Sequence, residues 1–436
     1  MARIMIVWGL WGPYHCRRFE AFRDHAEEQG HEATGISLFS GSRDYQWRSE
    51  SLPEKVIHFD LGADETRFPL RRVVRLLAIP WKVRPDVALL PSYDHWSLAL
   101  NGAMRAFGGR VVMMNDTHAG TARARGLKAA FKRQVVAGFH AGFVAGAPQR
   151  RYFSSLGLPE HKIFTGYDAV DNDYYASWAK EVRNAGPETR TKYGLPPHYF
   201  LSLGRFVPKK NLTALIHAYR RVLDSSRDCQ THLVLVGSGE EDLKLRSLCR
   251  ELRLPVYEKA EAGETKADSG ANRTDDAPPG VHFYGFRQIE ENPVFYALAD
   301  AFVLPSLWEE WGLVVNEAMA CGLPVVVSRT AGCAEDLLPP GTHGRLPDIG
   351  IRQNGFVFDP ESPDSLARAL IALASDTALR EGMGNASRAV VGNFSCDVFA
   401  RNALMAARAA NGEAVYPQVD ASSAREPVGA GSGLIR

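Results

Sequence analysis

Pro305-Ser306-Leu307-Trp308-Glu309-Glu310-Trp311-Gly312-Leu313-Val314-Val315-Asn316-Glu317-Ala318-Met319-Ala320-Cys321-Gly322 is the stretch that decides how this chain folds. Val303-Leu304 before it reads as the end of a buried strand, Gly312 as a tight turn, and the residues after it as a helix. The open end of such a helix carries unpaired N–H groups and partial positive charge, which suits a phosphate. Glu309 before the turn and Glu317 inside the helix add acceptor groups that suit ligand hydroxyls on either side of that phosphate. Sugar, diphosphate and ribose follow one another in that order in a nucleotide sugar.

Outward from this motif, strand-like apolar runs alternate with helical patterns. They lie at 4–7, 32–38, 87–90, 110–114 and 142–144 in the first half, and at 199–203, 232–236, 281–284, 301–304 and 324–327 in the second. Such alternation predicts parallel sheets covered by helices, and two sets of it predict two doubly wound domains. A chain of 436 residues also exceeds one ordinary core. The predicted fold class is α/β, with two Rossmann-like doubly wound domains. The boundary is placed in the polar stretch 176–198, which holds Ala185-Gly186-Pro187 and Pro196-Pro197. This gives a first domain over 1–183 and a second over 195–385. Residues 257–280, rich in Glu, Lys, Ala, Gly and Asp, are expected to form a mobile insertion. Residues 386–411 read as a C-terminal helix and 412–436 as a disordered tail.

Net charge is +1, so no global bias toward nucleic acid exists and no nucleic-acid partner is expected. Charge is nevertheless uneven: residues 66–133 hold thirteen Lys/Arg against three Asp/Glu. Arg71, Arg72, Arg75, Lys82 and Arg84 interleave with Leu76, Leu77, Ile79 and Trp81, and Arg123, Arg125, Lys128, Lys132 and Arg133 with Leu127 and Phe131. These segments suit either an anionic membrane surface or ordinary solvated helix faces. Cys16, Cys229, Cys249, Cys321, Cys333 and Cys396 lack Cys-x-x-Cys spacing, which argues against a zinc site or a disulfide framework and for reduced thiols. No apolar run reaches the roughly 20 residues of a spanning helix, and the N-terminus reads as a strand rather than a signal peptide. A cytoplasmic location follows as the expectation, peripheral to the membrane if the basic segments bind it.

Other segments carry chemistry. Gly204-Arg205 ends a strand, and Lys210 lies five residues beyond Arg205, before a helix. Two cations at such a strand end suit a diphosphate leaving group, whose charge grows as it departs. Gly237-Ser238-Gly239 is either a second ligand-facing glycine turn or a plain strand-to-helix turn. Trp8-Gly9-Leu10-Trp11-Gly12-Pro13-Tyr14-His15 follows the first strand. Its glycines let backbone approach a ligand, and its aromatics either stack on an acceptor sugar or pack in the core. Asn115-Asp116-Thr117-His118 forms the polar tip of the strand at 110–114, and Ser92-Tyr93-Asp94-His95 that of the strand before it.

The Pro-Ser-x-x-Glu-x-x-Gly-Leu-x-x-x-Glu-Ala-Met-Ala-Cys-Gly-Leu-Pro-Val-Val run, with Glu309 and Glu317 spaced Glu-x7-Glu, resembles the retaining glycosyltransferases of family 4, which have the GT-B architecture. Gly204-Arg205 and Lys210 resemble the same family's donor-phosphate motif, with Lys209 where the family usually has Glu. That change is expected to be tolerated at a solvated position. The resemblance implies that Glu317 holds ribose hydroxyls and Glu309 holds sugar hydroxyls. Arg205, Lys210 and the N–H groups near Gly312 and Leu313 would hold the diphosphate, with Gly204 at the strand end. Phe286 comes where the family's nucleotide base lies. The loop with Gly9, Gly12 and Tyr14 corresponds to the family's paired glycines on the acceptor side. Family members carry a His near the reacting sugar; Asp116 aligns with it by strand and His118 lies two residues later, so both are candidates. Tyr296 and its neighbours are expected in the core, Asn354–Pro360 in a structural hairpin, and Glu335 at a helix cap.

The resemblance further implies sugar transfer with retention at the anomeric carbon, no protein nucleophile, no metal and no other cofactor. It implies a nucleotide-sugar donor and a glycan or lipid-linked acceptor. Two other readings stay open at this point. A silent scaffold of the same fold would not hydrolyse a donor, and a nucleotide-sugar epimerase would form product from donor alone.

Overall fold

The computed structural model describes residues 1–40, 51–62, 70–91, 95–122, 126–258, 277–341 and 349–415. Ser92, Tyr93, Asp94, Arg123, Arg125, most of the expected insertion and most of the expected tail lie outside the described residues. Two sheets organise the rest. The first contains β1 (Arg3–Trp8), β2 (Glu32–Ser37), β3 (Val56–His58), β4 (Val87–Pro91), β5 (Arg110–Asn115), β6 (Ala141–Val144) and β7 (Ile163–Phe164). They run parallel in the order β3-β2-β1-β4-β5-β6-β7. The second contains β8 (Tyr199–Leu203), β9 (His232–Val236), β10 (Val256–Glu258), β11 (Val281–Phe283), β12 (Ala301–Leu304), β13 (Val325–Ser328), β14 (Ile349–Arg352) and β15 (Gly355–Phe358). Their order is β10-β11-β9-β8-β12-β13-β15-β14, parallel except for the β14/β15 hairpin.

Strands such as β5 and β9 are buried along almost their whole length, because helices cover both sheet faces. That burial explains why they read as unbroken apolar runs. Each sheet reverses its winding at one point, between β1 and β4 and between β8 and β12. Crevices form outside the carboxyl ends of strands at such points. Gly204-Arg205 and Pro305–Glu310 flank one of them, and the loop before Pro13 flanks the other.

Two segments pack across the domains. The helices Asn172–Asn184 and Gly186–Tyr193 fill much of the stretch 176–198. Asp171 caps the first by accepting the Tyr174 N–H at 2.9 Å, and Tyr175, Ala179 and Val182 pack into the second domain's core. The C-terminal region is two helices, Thr377–Val391 and Cys396–Ala410, with Ser395 capping the second. The second helix returns to the first domain and lies on the helix Pro13–Glu28. Its Phe399, Ala403, Leu404 and Ala407 complete the core that holds Ile4, Phe19 and Phe143. Small side chains permit that close approach. Among the described residues, no helix is long and apolar enough to cross a membrane, and the six cysteines are free thiols.

Candidate active site in the interdomain cleft

β12 runs directly into the Pro305–Gly322 motif. Gly312 takes a φ of 109°, and a Cβ there would stand 2.9 Å from a Leu304 methyl, so the turn requires glycine. The helix Leu313–Ala320 starts directly after it. Its first turn, Gly312 to Val314, lines a cleft of about 540 Å³ between the domains. The N–H groups of a first turn have no intrahelical acceptor, so this wall is a ready anion site. Trp311 is buried and donates from Nε1 to Asn316 Oδ1 at 2.9 Å, which fixes the turn from behind.

The opposite wall comes from β8 and β9. Gly204, Arg205, Lys209 and Lys210 line the cleft, with Gly237, Gly239 and Phe286 beside them. A Cβ on Gly237 would lie 1.9 Å from the Gly204 carbonyl oxygen, so the two turns pack backbone on backbone. Asn211 donates to the Pro305 carbonyl at 3.2 Å and ties the lysine turn to the motif loop. Lys210 Nζ pairs with Glu309 Oε2, while Lys209 Nζ bridges Glu309 Oε1 at 3.3 Å and Glu310 Oε2 at 3.2 Å. The expectation that Lys209 is solvated is therefore corrected: its side chain is 22% exposed and lies between two carboxylates. Burial alone would raise the Glu309 carboxyl, but Lys210 and Lys209 outweigh it and hold the group below its ordinary value.

The first domain contributes Tyr14, Asp116 and Asp168 to the cleft. Asp116 lies half-buried just past β5, and burial, then the charges of Asp168 and Glu310, push its carboxyl up to about 7. Asp168 is buried 3.4 Å from the Arg18 guanidinium. His118 does not face this space. Its Nε2 lies 3.0 Å from the Glu309 carbonyl oxygen and its Nδ1 accepts the Gly120 N–H at 3.2 Å. Those contacts select the tautomer with hydrogen on Nε2, and His118 then tethers the Glu309 backbone across the domains. Of the two strand-tip candidates, Asp116 alone lines the cleft.

Tyr14 reaches over the cleft and donates its hydroxyl to Glu317 Oε1. Glu317 is fully buried in the helix Leu313–Ala320. Burial raises its carboxyl to about 7, against the lowering effect of the Tyr14 hydrogen bond and of the neighbouring polar groups of Tyr296, Tyr175 and Asn292. A tyrosine hydroxyl therefore occupies the carboxylate to which the resemblance assigns the ribose. Tyr296 is buried as expected, but it also helps enclose Glu317. Trp8 and Trp11 are core residues, bonded to the Tyr167 hydroxyl at 3.2 Å and the Ile36 carbonyl at 2.9 Å. The two indoles are thus not a stacking platform. The Gly9 carbonyl accepts the N–H groups of Leu38 and Phe39, and the Gly12 N–H donates to His15 Nδ1 at 3.1 Å. Glu335 pairs with Arg151 across the domains, 2.8 Å apart.

Asp168, Glu310 and Asn292 are cleft residues that the sequence reading passed over. Asp168 follows β7, which is only two residues long and left no strand signal to mark a carboxyl end. Among the described residues, no group of three or more His, Cys, Asp or Glu is gathered closely enough to hold a metal ion.

Residues 197–376 match the family model for glycosyl transferases group 1. An uncharacterized glycosyltransferase of Methanocaldococcus jannaschii is 29% identical over 258 residues, covering 58% of this chain and 55% of that protein. A GDP-mannose-dependent monoacylated alpha-(1-6)-phosphatidylinositol monomannoside mannosyltransferase of Corynebacterium glutamicum is 28% identical over 194 residues, 43% of this chain and 40% of its own length. The chain thus spans about half the length of these curated relatives. A glycosyltransferase structure from Rickettsia africae superposes with a TM-score of 0.68 at 15% identity, covering 94% of this chain and 98% of the other. Anabaena HepE in complex with UDP gives 0.63 at 17% identity, covering 93% and 98%. Two Rossmann-like domains around a cleft are the GT-B fold these structures share.

Proposed function

We propose that this chain is a glycosyltransferase that moves a sugar from a nucleotide diphosphate sugar to an acceptor hydroxyl, with retention at the anomeric carbon. The observation that carries the reading is the convergence of Arg205, Lys210, the start of the helix Leu313–Ala320 and Glu309 on one 540 Å³ cleft at the second domain's switch point. The group 1 match over 197–376 supports it. In this scheme Arg205, Lys210 and the helix start hold the diphosphate. Phe286 lies beside the base, Glu309 receives sugar hydroxyls and Glu317 the ribose. The acceptor oxygen attacks the anomeric carbon from the leaving-group face as the bond to the diphosphate oxygen breaks. The electron pair departs with the diphosphate, and a phosphate oxygen takes the acceptor proton. The stabilising cations are protein side chains, so the scheme requires no metal. Release of nucleoside diphosphate from a panel of nucleotide sugars, with and without acceptor extract, tests it. Acceptor-dependent release with an unchanged anomeric configuration is expected. Product formed from donor alone would favour an epimerase, and no consumption of any donor would favour a scaffold.

The acceptor is proposed to be a glycan carried on lipid, met at an anionic membrane. Six of the ten exposed large hydrophobic side chains among the described residues, Leu70, Val74, Leu77, Trp81, Leu127 and Phe131, lie on the helices Leu70–Leu77, Ile79–Val83 and Leu127–Ala137. Residues 70–84 and 126–137 contain no Asp or Glu, while Arg71, Lys82, Arg84, Lys128 and Arg133 are exposed among the apolar groups. Apolar side chains interleaved with cations complement a negative lipid surface. Each basic residue contributes about 1 kcal/mol there, so glutamine at Arg71, Lys82, Lys128 and Arg133 together should abolish detectable binding. The check is co-sedimentation with phosphatidylcholine vesicles, with and without phosphatidylglycerol. Wild type should bind only the anionic vesicles and release in high salt; equal behaviour on both would contradict the assignment.

A further inference from the structure

We propose that Lys209 positions Glu309 for the donor sugar, staying on that carboxylate when the diphosphate draws Lys210 away. The inference rests on the nucleotide-sugar reading of the cleft. Glu309 is held on two sides: Lys210 and the Ser306 hydroxyl on Oε2, the latter at 3.2 Å, and Lys209 on Oε1 at 3.3 Å. Its side chain is only 11% exposed. A carboxylate that dry is costly without a counter-ion. Lys210 is shared between two roles, because it lines the space assigned to the diphosphate and also pairs with Glu309. A diphosphate carries more charge than one carboxylate, so Lys210 turns toward it on binding.

Lys209 is built to remain. Its carbonyl accepts the Leu307 N–H at 2.8 Å, which fastens its turn to the loop that carries Glu309. Its other partner, Glu310, is 38% exposed and is solvated without it. Lys209 therefore holds Glu309 ionised and aimed while Lys210 serves the leaving group. It acts on the sugar through Glu309 and is a positioning residue.

The test compares Lys209→Met and Lys209→Arg with wild type, titrating UDP against UDP-glucose and GDP against GDP-mannose by calorimetry. For the pair that binds wild type, Lys209→Met should leave diphosphate affinity within threefold and lower nucleotide-sugar affinity by tenfold or more. The acid limb of kcat/KM should move to higher pH in Lys209→Met, and Lys209→Arg should restore both readouts. Equal loss for diphosphate and nucleotide sugar would make Lys209 a phosphate ligand and overturn the proposal. No change in either would make it a surface pair and overturn it as well. Failure of wild type to bind either diphosphate and either sugar nucleotide is a separate result, which removes the donor site itself and this role with it.

Discussion

Replacing Lys210 by methionine is expected to lower turnover of a nucleotide sugar by about 10²–10³-fold, the usual cost of deleting one group that stabilises charge in the transition state. The leaving diphosphate gains negative charge as the glycosidic bond breaks, and a fixed cation is worth more then than in the ground state. Lys210 can supply that cation once it turns from Glu309: it lines the cleft, and its side chain is 16% exposed. Ground-state binding should also weaken, since a hydrogen bond to a charged group contributes about 1.5–3 kcal/mol. Nucleoside diphosphate affinity should therefore fall by at least about tenfold. Folding should survive, because Lys209 still faces Glu309 in the variant. Calorimetry with kcat measured in parallel checks both effects. Unchanged diphosphate affinity would take Lys210 out of the phosphate site.

The second large effect concerns Glu317 and pH. The folded chain keeps a proton on Glu317 up to about pH 7, whereas the group ordinarily releases it near 4.5. Folding therefore takes up a proton between those values, and ligand-free stability falls as pH rises through that window. The full difference is at most about 3 kcal/mol for a shift of this size. Glu317→Gln removes this proton uptake. The variant should lose less stability than wild type between pH 5 and pH 8 and melt higher at pH 8. Asp116, also raised to about 7, contributes in the same direction, so adding Asp116→Asn should flatten the curve further. Melting temperatures across that pH range, without ligand, provide the check. Parallel curves for wild type and Glu317→Gln would show that Glu317 is ionised throughout. Glu317→Ala should behave differently. It takes the acceptor from the Tyr14 hydroxyl and leaves a cavity among Tyr175, Tyr296 and Asn292, lowering stability at every pH.

The parts of the molecule legible from sequence are those whose cause is local. All ten expected strands form, because a strand buried on both faces must be apolar along its length and its neighbours in the chain show it. The turn at Gly312 was legible because a glycine between a strand and a helix leaves few alternatives. β3, β7 and β10, with three, two and three residues, are too short to carry a period. The return of the helix Cys396–Ala410 to the first domain is a long-range fact: its alanine face fits any close-packed partner. Side-chain direction was the other limit. Spacing placed Asp116 and His118 at one strand tip but not the direction in which each points. Lys209 read as solvated because its two carboxylate partners lie about 100 residues away in sequence. Tyr14 meets Glu317 across 303 residues, and the two domains must face each other before that contact exists.

The central claim is that the cleft between Lys210 and the helix Leu313–Ala320 receives a nucleotide sugar. Its most direct test is a thermal-shift panel of nucleoside diphosphates and nucleotide sugars on wild type and Lys210→Met, since a ligand that binds only the folded state must raise its melting temperature. The expected result is stabilisation by one base class, larger for its sugar nucleotide and lost in Lys210→Met. No shift with any nucleotide at millimolar concentration, or a shift that Lys210→Met retains in full, would contradict the account.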